Sequence, residues 1–339
     1  MTVTVVTPVF NGADHIRATL RSVQAQTFGD FEHVVVDDGS TDGSADIVRE
    51  AAAADSRIRL VQQPNAGLSA ARNTGVAHAD PANEFILFLD DDDLLRPTAL
   101  EVLVGALRSA PDATAVHGDL AAVDGAGEAV PLVRIEAAER RAVVDPHRWW
   151  TPRHATRPLA PHEPSPIEAF GYVLFVYTVG QVLLRRDRLA QIGEFDPLLR
   201  VAQDYDLWLR ISSRGPMAYV PEVVLDYRQT DRSLSSDQTT TRREDLYARF
   251  KCITDRSLPL ATRRLVRHLH RHHEWHRCAE RLTYIGPALR RRELHSVARD
   301  LVRAVRSAQR CHSWWRWRWR TRRRVASGSD RSVMHLNRA

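Results

Sequence analysis

Residues Phe85-Ile86-Leu87-Phe88-Leu89 are apolar without a break, and Asp90-Asp91-Asp92-Asp93 follow at once. A strand whose side chains are apolar in both directions is covered on both faces. Four adjacent carboxylates cannot continue into that interior, because they repel one another and are expensive to bury unpaired. The strand must therefore end at an edge where polar groups or ligands collect.

The residues around it alternate strand and helix patterns. Val3-Thr4-Val5-Val6-Thr7 is a β-branched run, and Asp14 to Val23 places Ile16, Leu20 and Val23 on one helical face. Phe31-Glu32-His33-Val34-Val35-Val36 reads as a strand that ends in Asp37-Asp38-Gly39-Ser40-Thr41-Asp42-Gly43-Ser44, a run of turn and cap residues. A helix over Ala45–Ala54, a strand at Ile58–Val61 and a helix over Ser69–His78 complete the pattern. Alternation of this kind predicts a parallel sheet flanked by helices, with ligands at the carboxyl ends of the strands. All of these polar clusters fall there. Val143–Pro166, rich in Pro, His, Arg and Trp, reads as an insertion or long loop on the acceptor side. The apolar run Phe170–Leu184 reads as buried strand, the α/β pattern resumes to about Tyr227, and the chain beyond Thr239 is helical and basic.

Each cluster has a chemistry and a bland alternative. The aspartate run suits Mg²⁺ or Mn²⁺, which take oxygen ligands from one or two carboxylates and substrate phosphates; acidic residues also favour helix starts. At the first strand's end, Thr7-Pro8-Val9-Phe10-Asn11-Gly12 offers an aromatic ring to flank a base. At the second, Asp38 offers a carboxylate to the imide N–H of a uracil or thymine. Either could equally be a strand-to-helix turn with a cap. In Asn65-Ala66-Gly67-Leu68-Ser69-Ala70-Ala71-Arg72-Asn73-Thr74-Gly75, an arginine on a helix facing the sheet edge suits a diphosphate; it could also be a surface arginine. In Gln203-Asp204-Tyr205-Asp206-Leu207-Trp208-Leu209-Arg210, Asp204 near a helix start is an ordinary cap or a general base.

In order and spacing these five motifs resemble the family 2 glycosyltransferases, an inverting class with the GT-A fold. The similarity covers roughly Thr2 to Tyr227. The resemblance implies that Pro8, Phe10 and Asp38 contact the nucleoside and that Arg72 lies by the base or diphosphate. It implies that Asp90, Asp91 and Asp92 form the Asp-x-Asp motif, with Asp91 near the ribose and Asp92 the metal ligand, and that Asp204 is the catalytic base. Two departures stand out. Gln203 precedes Asp204 where Glu is common. Tyr227-Arg228 is followed by Ser233-Leu234-Ser235-Ser236 with no histidine.

The C-terminal part has a different character. Arg292, Arg299, Arg303, Arg306 and Arg310 accompany an apolar helical spacing, and Trp314-Trp315-Arg316-Trp317-Arg318-Trp319-Arg320 follows. Tryptophan with arginine suits an anionic lipid interface. The same composition can bind nucleic acid, the less favoured reading for a transferase with lipid-linked acceptors. His268, His272 and His276 share a helical face but lack a further ligand, so a packing or solvated helix is favoured over zinc. Cys252, Cys278 and Cys311 fit neither a disulfide framework nor a zinc motif. The N-terminus lacks the basic region of a signal peptide. No run of about 18 apolar residues could span a membrane.

The expectations are therefore an α/β chain with a GT-A, Rossmann-like, mostly parallel sheet over 1–238, a basic helical extension over 239–310 and a Trp/Arg-rich tail over 311–339. The expected activity is metal-dependent, inverting transfer from a UDP- or dTDP-linked sugar to an acceptor hydroxyl of a glycan or lipid-linked acceptor in polysaccharide, glycolipid or cell-envelope glycan synthesis. The expected place is the cytoplasm and the inner face of the plasma membrane. Two alternatives stay open: a sugar-phosphate nucleotidylyltransferase-like enzyme, and a non-catalytic nucleotide-sugar-binding module anchored by the basic tail.

Overall fold

The structure, a computed structural model, describes residues 1–124, 129–135, 142–144, 156–158, 164–165, 176–228, 238–258, 260, 262–264 and 266–267. The histidine trio and the Trp/Arg tail lie outside them. So does most of Val143–Pro166.

In chain order the elements are β1 (Val3–Val9), α1 (Ile16–Gln24), β2 (Phe31–Asp37), α2 (Ser44–Ala54), β3 (Ile58–Gln62), α3 (Leu68–His78), β4 (Phe85–Phe88), β5 (Leu94–Leu95), α4 (Ala99–Ser109) and β6 (Ala115–Val123). There follow β7 (Ala129–Ile135), β8 (Ala142–Val144), β9 (Thr156–Pro158), β10 (Val182–Arg185), α5 (Arg186–Ile192), α6 (Gln203–Ser212), β11 (Met217–Arg228) and α7 (Gln238–Thr254). One sheet runs β3-β2-β1-β4-β10-β6-β11-β5, with β7 also on β6, and β8 pairs separately with β9. Strands β3, β2, β1 and β4 are parallel throughout; β10 runs antiparallel between β4 and β6, and β11 is parallel to β6.

The alternation of strand side chains explains the layers. Val3 and Val5 of β1, with Phe85 and Leu87 of β4, bury on the side of Val23 of α1 and Leu100, Leu103, Val104 and Leu107 of α4. Val6, with Ile86 and Phe88, buries on the other side against Leu207, Trp208 and Ile211 of α6. Ala248 of α7 joins that second layer. The compact unit runs from Met1 to Arg267, so it includes α7; the domain edge expected at 238 falls at the start of this helix.

Polar groups inside β1 are satisfied across the ladder. Thr4 Oγ1 donates to Glu32 Oε1 at 2.8 Å, and Thr7 Oγ1 lies 2.8 Å from His33 Nε2. Burial pushes the His33 imidazole down to about 3, so it stays neutral at physiological pH.

Two expectations differ from the structure. In the described part of the run Phe170–Leu184, only Val182–Leu184 is strand, and a 3-10 turn at Val179–Gln181 precedes it. The Gln181 side chain causes the break: its Oε1 accepts from the Tyr177 and Thr178 amides, and its Nε2 donates to Gly118 O. The helix-start alternative for the aspartate run fails at Asp93. The next helix begins at Ala99 after Thr98, and Asp93 turns inward instead.

Gly75 sets the distance between α3 and the sheet. A side-chain carbon there would stand 2.2 Å from Val6 Cγ1 and 3.4 Å from Val36 Cγ2. In an open helix Gly→Ala gains about 1 kcal/mol of propensity. Here overpacking, typically about 1–3 kcal/mol, opposes it. Gly75→Ala should therefore lower the urea midpoint without changing the slope. A raised midpoint would show that α3 can lift from the sheet at no cost.

Candidate active site

Register brings three turns together at one edge. Val9 lies opposite Asp37 and Val6 opposite Phe88, so the chain segments that follow β1, β2 and β4 emerge side by side. The turn after β1 is tied to the one after β2. Asn11 N donates to Ser40 Oγ at 3.0 Å, Thr41 N to Asn11 Oδ1 at 2.9 Å, Gly12 N to Ser44 Oγ at 3.0 Å and Ala13 N to Asp42 Oδ2 at 3.0 Å. Asn11 has φ 53°, a region Asn tolerates better than most residues. Pro8 is buried within β1, and Phe10 is 50% exposed at its end.

Asp38 is buried and already engaged. Its Oδ1 accepts from Gln63 Nε2 at 2.7 Å and Ala66 N at 2.8 Å, and its Oδ2 accepts from Gly67 N at 2.8 Å. A carboxylate has roughly four lone-pair sites, so one remains. Asp38 thus fixes the loop leading into α3.

The four aspartates separate into different environments. Asp90 Oδ1 accepts from Arg72 Nη2 in a close ion pair, and its Oδ2 lies 3.4 Å from Thr178 Oγ1. Asp91 reaches back to the turn after β1. A side-chain carbon at Gly12 would be 2.0 Å from Asp91 Oδ2, so that contact requires glycine. Burial, then repulsion from Asp92 and Asp90, pushes Asp91 up to about 8. Burial and Asp90 push Asp92 up to about 6, with its own amide and Arg228 opposing. Asp93 is fully buried: its Oδ1 accepts from Arg228 N at 3.1 Å and its Oδ2 from Thr178 Oγ1 at 3.2 Å. Burial and its two neighbours hold its carboxyl well above the usual range.

Arg72 is 2% exposed. Its guanidinium lies 5.1 Å from the Phe195 ring centre, while its Nε and Nη1 have no hydrogen-bond partner. A buried guanidinium with two idle N–H groups is costly and would be satisfied by an anion. Asn73, next on α3, exchanges two 2.9 Å bonds with the Phe195 backbone. Asp204 stands at the start of α6, with Arg72, Asp90 and Asp245 acting on it. Burial pushes it up to about 7, against the Tyr205 amide and the Arg72 charge. A carboxyl poised there suits a general base near neutral pH.

The structure thus gathers Arg72, Asp90, Asp91, Asp92 and Asp204 around one edge, with Phe10 and Asp38 along the same edge. Among the described residues, no three His, Cys, Asp or Glu side chains could hold a metal by themselves. Still, carboxyls raised by burial and by neighbouring carboxylates at Asp91 and Asp92 fit a cation shared with a phosphorylated ligand.

Several supporting residues escaped the motif reading, and Arg228 entered it only through the Tyr227-Arg228 pair. Thr19 Oγ1 lies 2.8 Å from Asp91 O and 2.9 Å from Asp93 O and shares its single proton between them. Its signal is a threonine on the apolar face of α1. Arg228 Nε donates to Asp92 O at 2.9 Å. Thr178 and Glu244 had no local signature.

The family model described as Glycosyl transferase family 2 matches residues 4–179, just over half of the chain. A putative teichuronic acid biosynthesis glycosyltransferase of Bacillus subtilis, TuaG, is 29% identical over 239 residues, 70% of this chain and 82% of that protein. Two bacterial relatives of higher identity, 43% and 40%, match over 101 and 112 residues, which are 14% and 31% of their own lengths. S. aureus TarS 1-349, solved in complex with UDP-GlcNAc, shares the fold at TM-score 0.60 and 18% identity, over 80% of this chain and 72% of that one. The mannosyltransferase PcManGT of Pyrobaculum calidifontis, solved with GDP-Man and Mn²⁺, shares it at TM-score 0.58 and 20% identity, over 91% and 86%. The five motifs, the GT-A-type sheet and the match across residues 4–179 agree: the chain belongs to glycosyl transferase family 2.

Proposed function

We propose that this family 2 glycosyltransferase moves a sugar from a UDP- or dTDP-linked donor to an acceptor hydroxyl, with inversion at the anomeric carbon. The observation that carries the reading is Asp204, a half-buried carboxyl at the start of α6, raised to about 7 beside the Arg72–Asp90 pair. Phe10 flanks the base with Pro8 buried in the strand behind it, Asp38 meets its imide edge through the remaining lone pair, and Asp91 takes the ribose. Arg72 offers Nε and Nη1 to the diphosphate, which satisfies both idle donors. A Mg²⁺ or Mn²⁺ ion, when bound at Asp92, supplies positive charge to the departing diphosphate. PcManGT, solved with Mn²⁺, supports that choice by analogy.

Asp204 removes the proton from the acceptor hydroxyl. The acceptor oxygen forms its bond to the anomeric carbon while the bond to the diphosphate oxygen breaks, and that oxygen keeps the electron pair. Attack opposite the leaving group inverts the centre. The name of TuaG supports a cell-envelope polysaccharide as the acceptor class. A lipid-linked acceptor agrees with placement at the inner face of the plasma membrane, with the basic tail on anionic lipid. No helix among the described residues is long and apolar enough to cross a membrane.

Asp204→Asn should reduce donor turnover by about 10²–10⁴-fold and leave nucleotide affinity within about twofold. Retained turnover would remove Asp204 from the base role. Only the ionised carboxyl can accept a proton, so kcat/KM should rise with pH through an apparent pKa of about 7 and fall tenfold per unit below it. Initial rates from pH 5.5 to 8.5 test this, and a flat profile contradicts it. Calorimetric titration of UDP should show tighter binding with Mn²⁺ than with EDTA, and Asp92→Asn should abolish the difference. Equal wild-type affinities in both buffers would exclude a metal at Asp92.

A further inference from the structure

The helix that carries Asp204 follows an irregular segment, Gly193–Ala202, whose backbone groups need partners from elsewhere. Side chains of two helices supply them. From α3, Ser69 Oγ donates to Leu199 O at 3.2 Å, and Asn73 pairs with Phe195. From α7, a single atom does most of the work. Glu244 Oε2 accepts from three successive amides, Arg200 N at 2.9 Å, Val201 N at 2.7 Å and Ala202 N at 3.0 Å. Glu244 is 9% exposed. Hydrogen bonds to an ionised acceptor are roughly twice as strong as neutral ones.

The same helix fixes α6 at two more points. Lys251 Nζ lies 2.8 Å from Asp196 Oδ2 and 3.1 Å from Asp206 Oδ2, and Arg249 Nε donates to Tyr205 Oη at 2.8 Å. Ala202, the last of the three amides, immediately precedes Gln203 and Asp204. Arg72 of α3, Asp90 after β4 and Asp245 of α7 are the charged groups acting on Asp204. A shift of α7 therefore moves both the base and part of its surroundings. Glu244 lies beyond residue 179, where the family match ends.

We propose that Glu244 is a positioning residue for the transfer reaction: by holding the Arg200–Ala202 amides, it fixes where the Asp204 carboxylate stands against Arg72 and Asp90. The proposal rests on the reading of Asp204 as the base.

The test uses the full chain and its Glu244→Ala and Glu244→Gln variants. Three quantities are measured: calorimetric stoichiometry and affinity for UDP, kcat and KM for nucleotide release from UDP- and dTDP-sugars, and hydrogen exchange at the Arg200–Ala202 amides. Misplacing a catalytic group by about 1 Å costs about 10²-fold. Glu244→Ala should lose about that factor in kcat, with KM and UDP stoichiometry unchanged and the three amides exchanging faster. Glu244→Gln keeps an oxygen at the same reach without the charge, and should lose only about three- to tenfold. Wild-type kcat in Glu244→Ala despite faster exchange overturns the proposal. So does parallel loss of UDP binding and turnover, which marks a merely structural role. Should the Ala variant not fold, Glu244→Gln decides: wild-type kcat in it overturns the proposal. Absence of nucleotide release by the wild type from every donor instead overturns the transferase reading itself, and the positioning role with it.

Discussion

Mutual repulsion among four carboxylates at the end of a buried strand is the constraint around which this molecule is organised. The four aspartates are met by three separate parts of the chain. Arg72 of α3 takes Asp90, the turn at Gly12 admits Asp91, and Arg228 from the end of β11 reaches the Asp92 carbonyl and the Asp93 carboxyl. Thr19 and Thr178 add hydroxyls. These partners come from sequence positions up to 136 residues away. The compensation is incomplete, as the raised Asp91 and Asp92 carboxyls show.

Helix α3 links this charge problem to the chemistry. Its glycine face lets it lie close on β1, its Arg72 crosses to Asp90, and its Asn73 and Ser69 hold the segment that leads to Asp204. The close approach at Gly75 and the reach of Arg72 are one design problem, because lifting the helix would pull the guanidinium away from the edge. Helix α7 grips the same segment from another side, so the stretch leading to Asp204 is held by two helices from distant parts of the chain.

The N-terminal half was legible because its signals are local. A β-branched run announces β1, a valine-rich run β2 and an uninterrupted apolar run β4, turn residues mark their ends, and parallel register places those ends together. The position of Asp38 and Asp90–Asp92 at the strand ends was legible from the pattern, while the roles given to them and to Arg72 came from the resemblance. What remained hidden depends on tertiary partners. The strand expected across Phe170–Leu184 gives way to a turn because Gln181 satisfies amides that a ladder would otherwise bond. Asp93 bonds Arg228 and Thr178 rather than a helix end, and no spacing rule connects residues 85 and 135 positions apart. Glu244 sits in a sequence whose charge reads as a solvated helix. Only the backbone of a segment some 42–44 residues earlier shows its purpose.

The antiparallel insertion of β10 between β4 and β6 has a consequence for how such enzymes diversify. Because β6 and β10 are sheet neighbours running in opposite directions, the connection between them leaves and re-enters at one edge, the edge that holds the site. A connection with its ends pinned together loses little when it lengthens: doubling a flexible loop costs only about 0.6 kcal/mol of closure entropy. The parts of the interval between Val123 and Val179 that lie outside β7 and the Ser165–Met217 bridge can therefore change length with the register of β6 and β10 undisturbed. Such a change also leaves the register of β1, β2 and β4, and so the edge where their turns meet, in place.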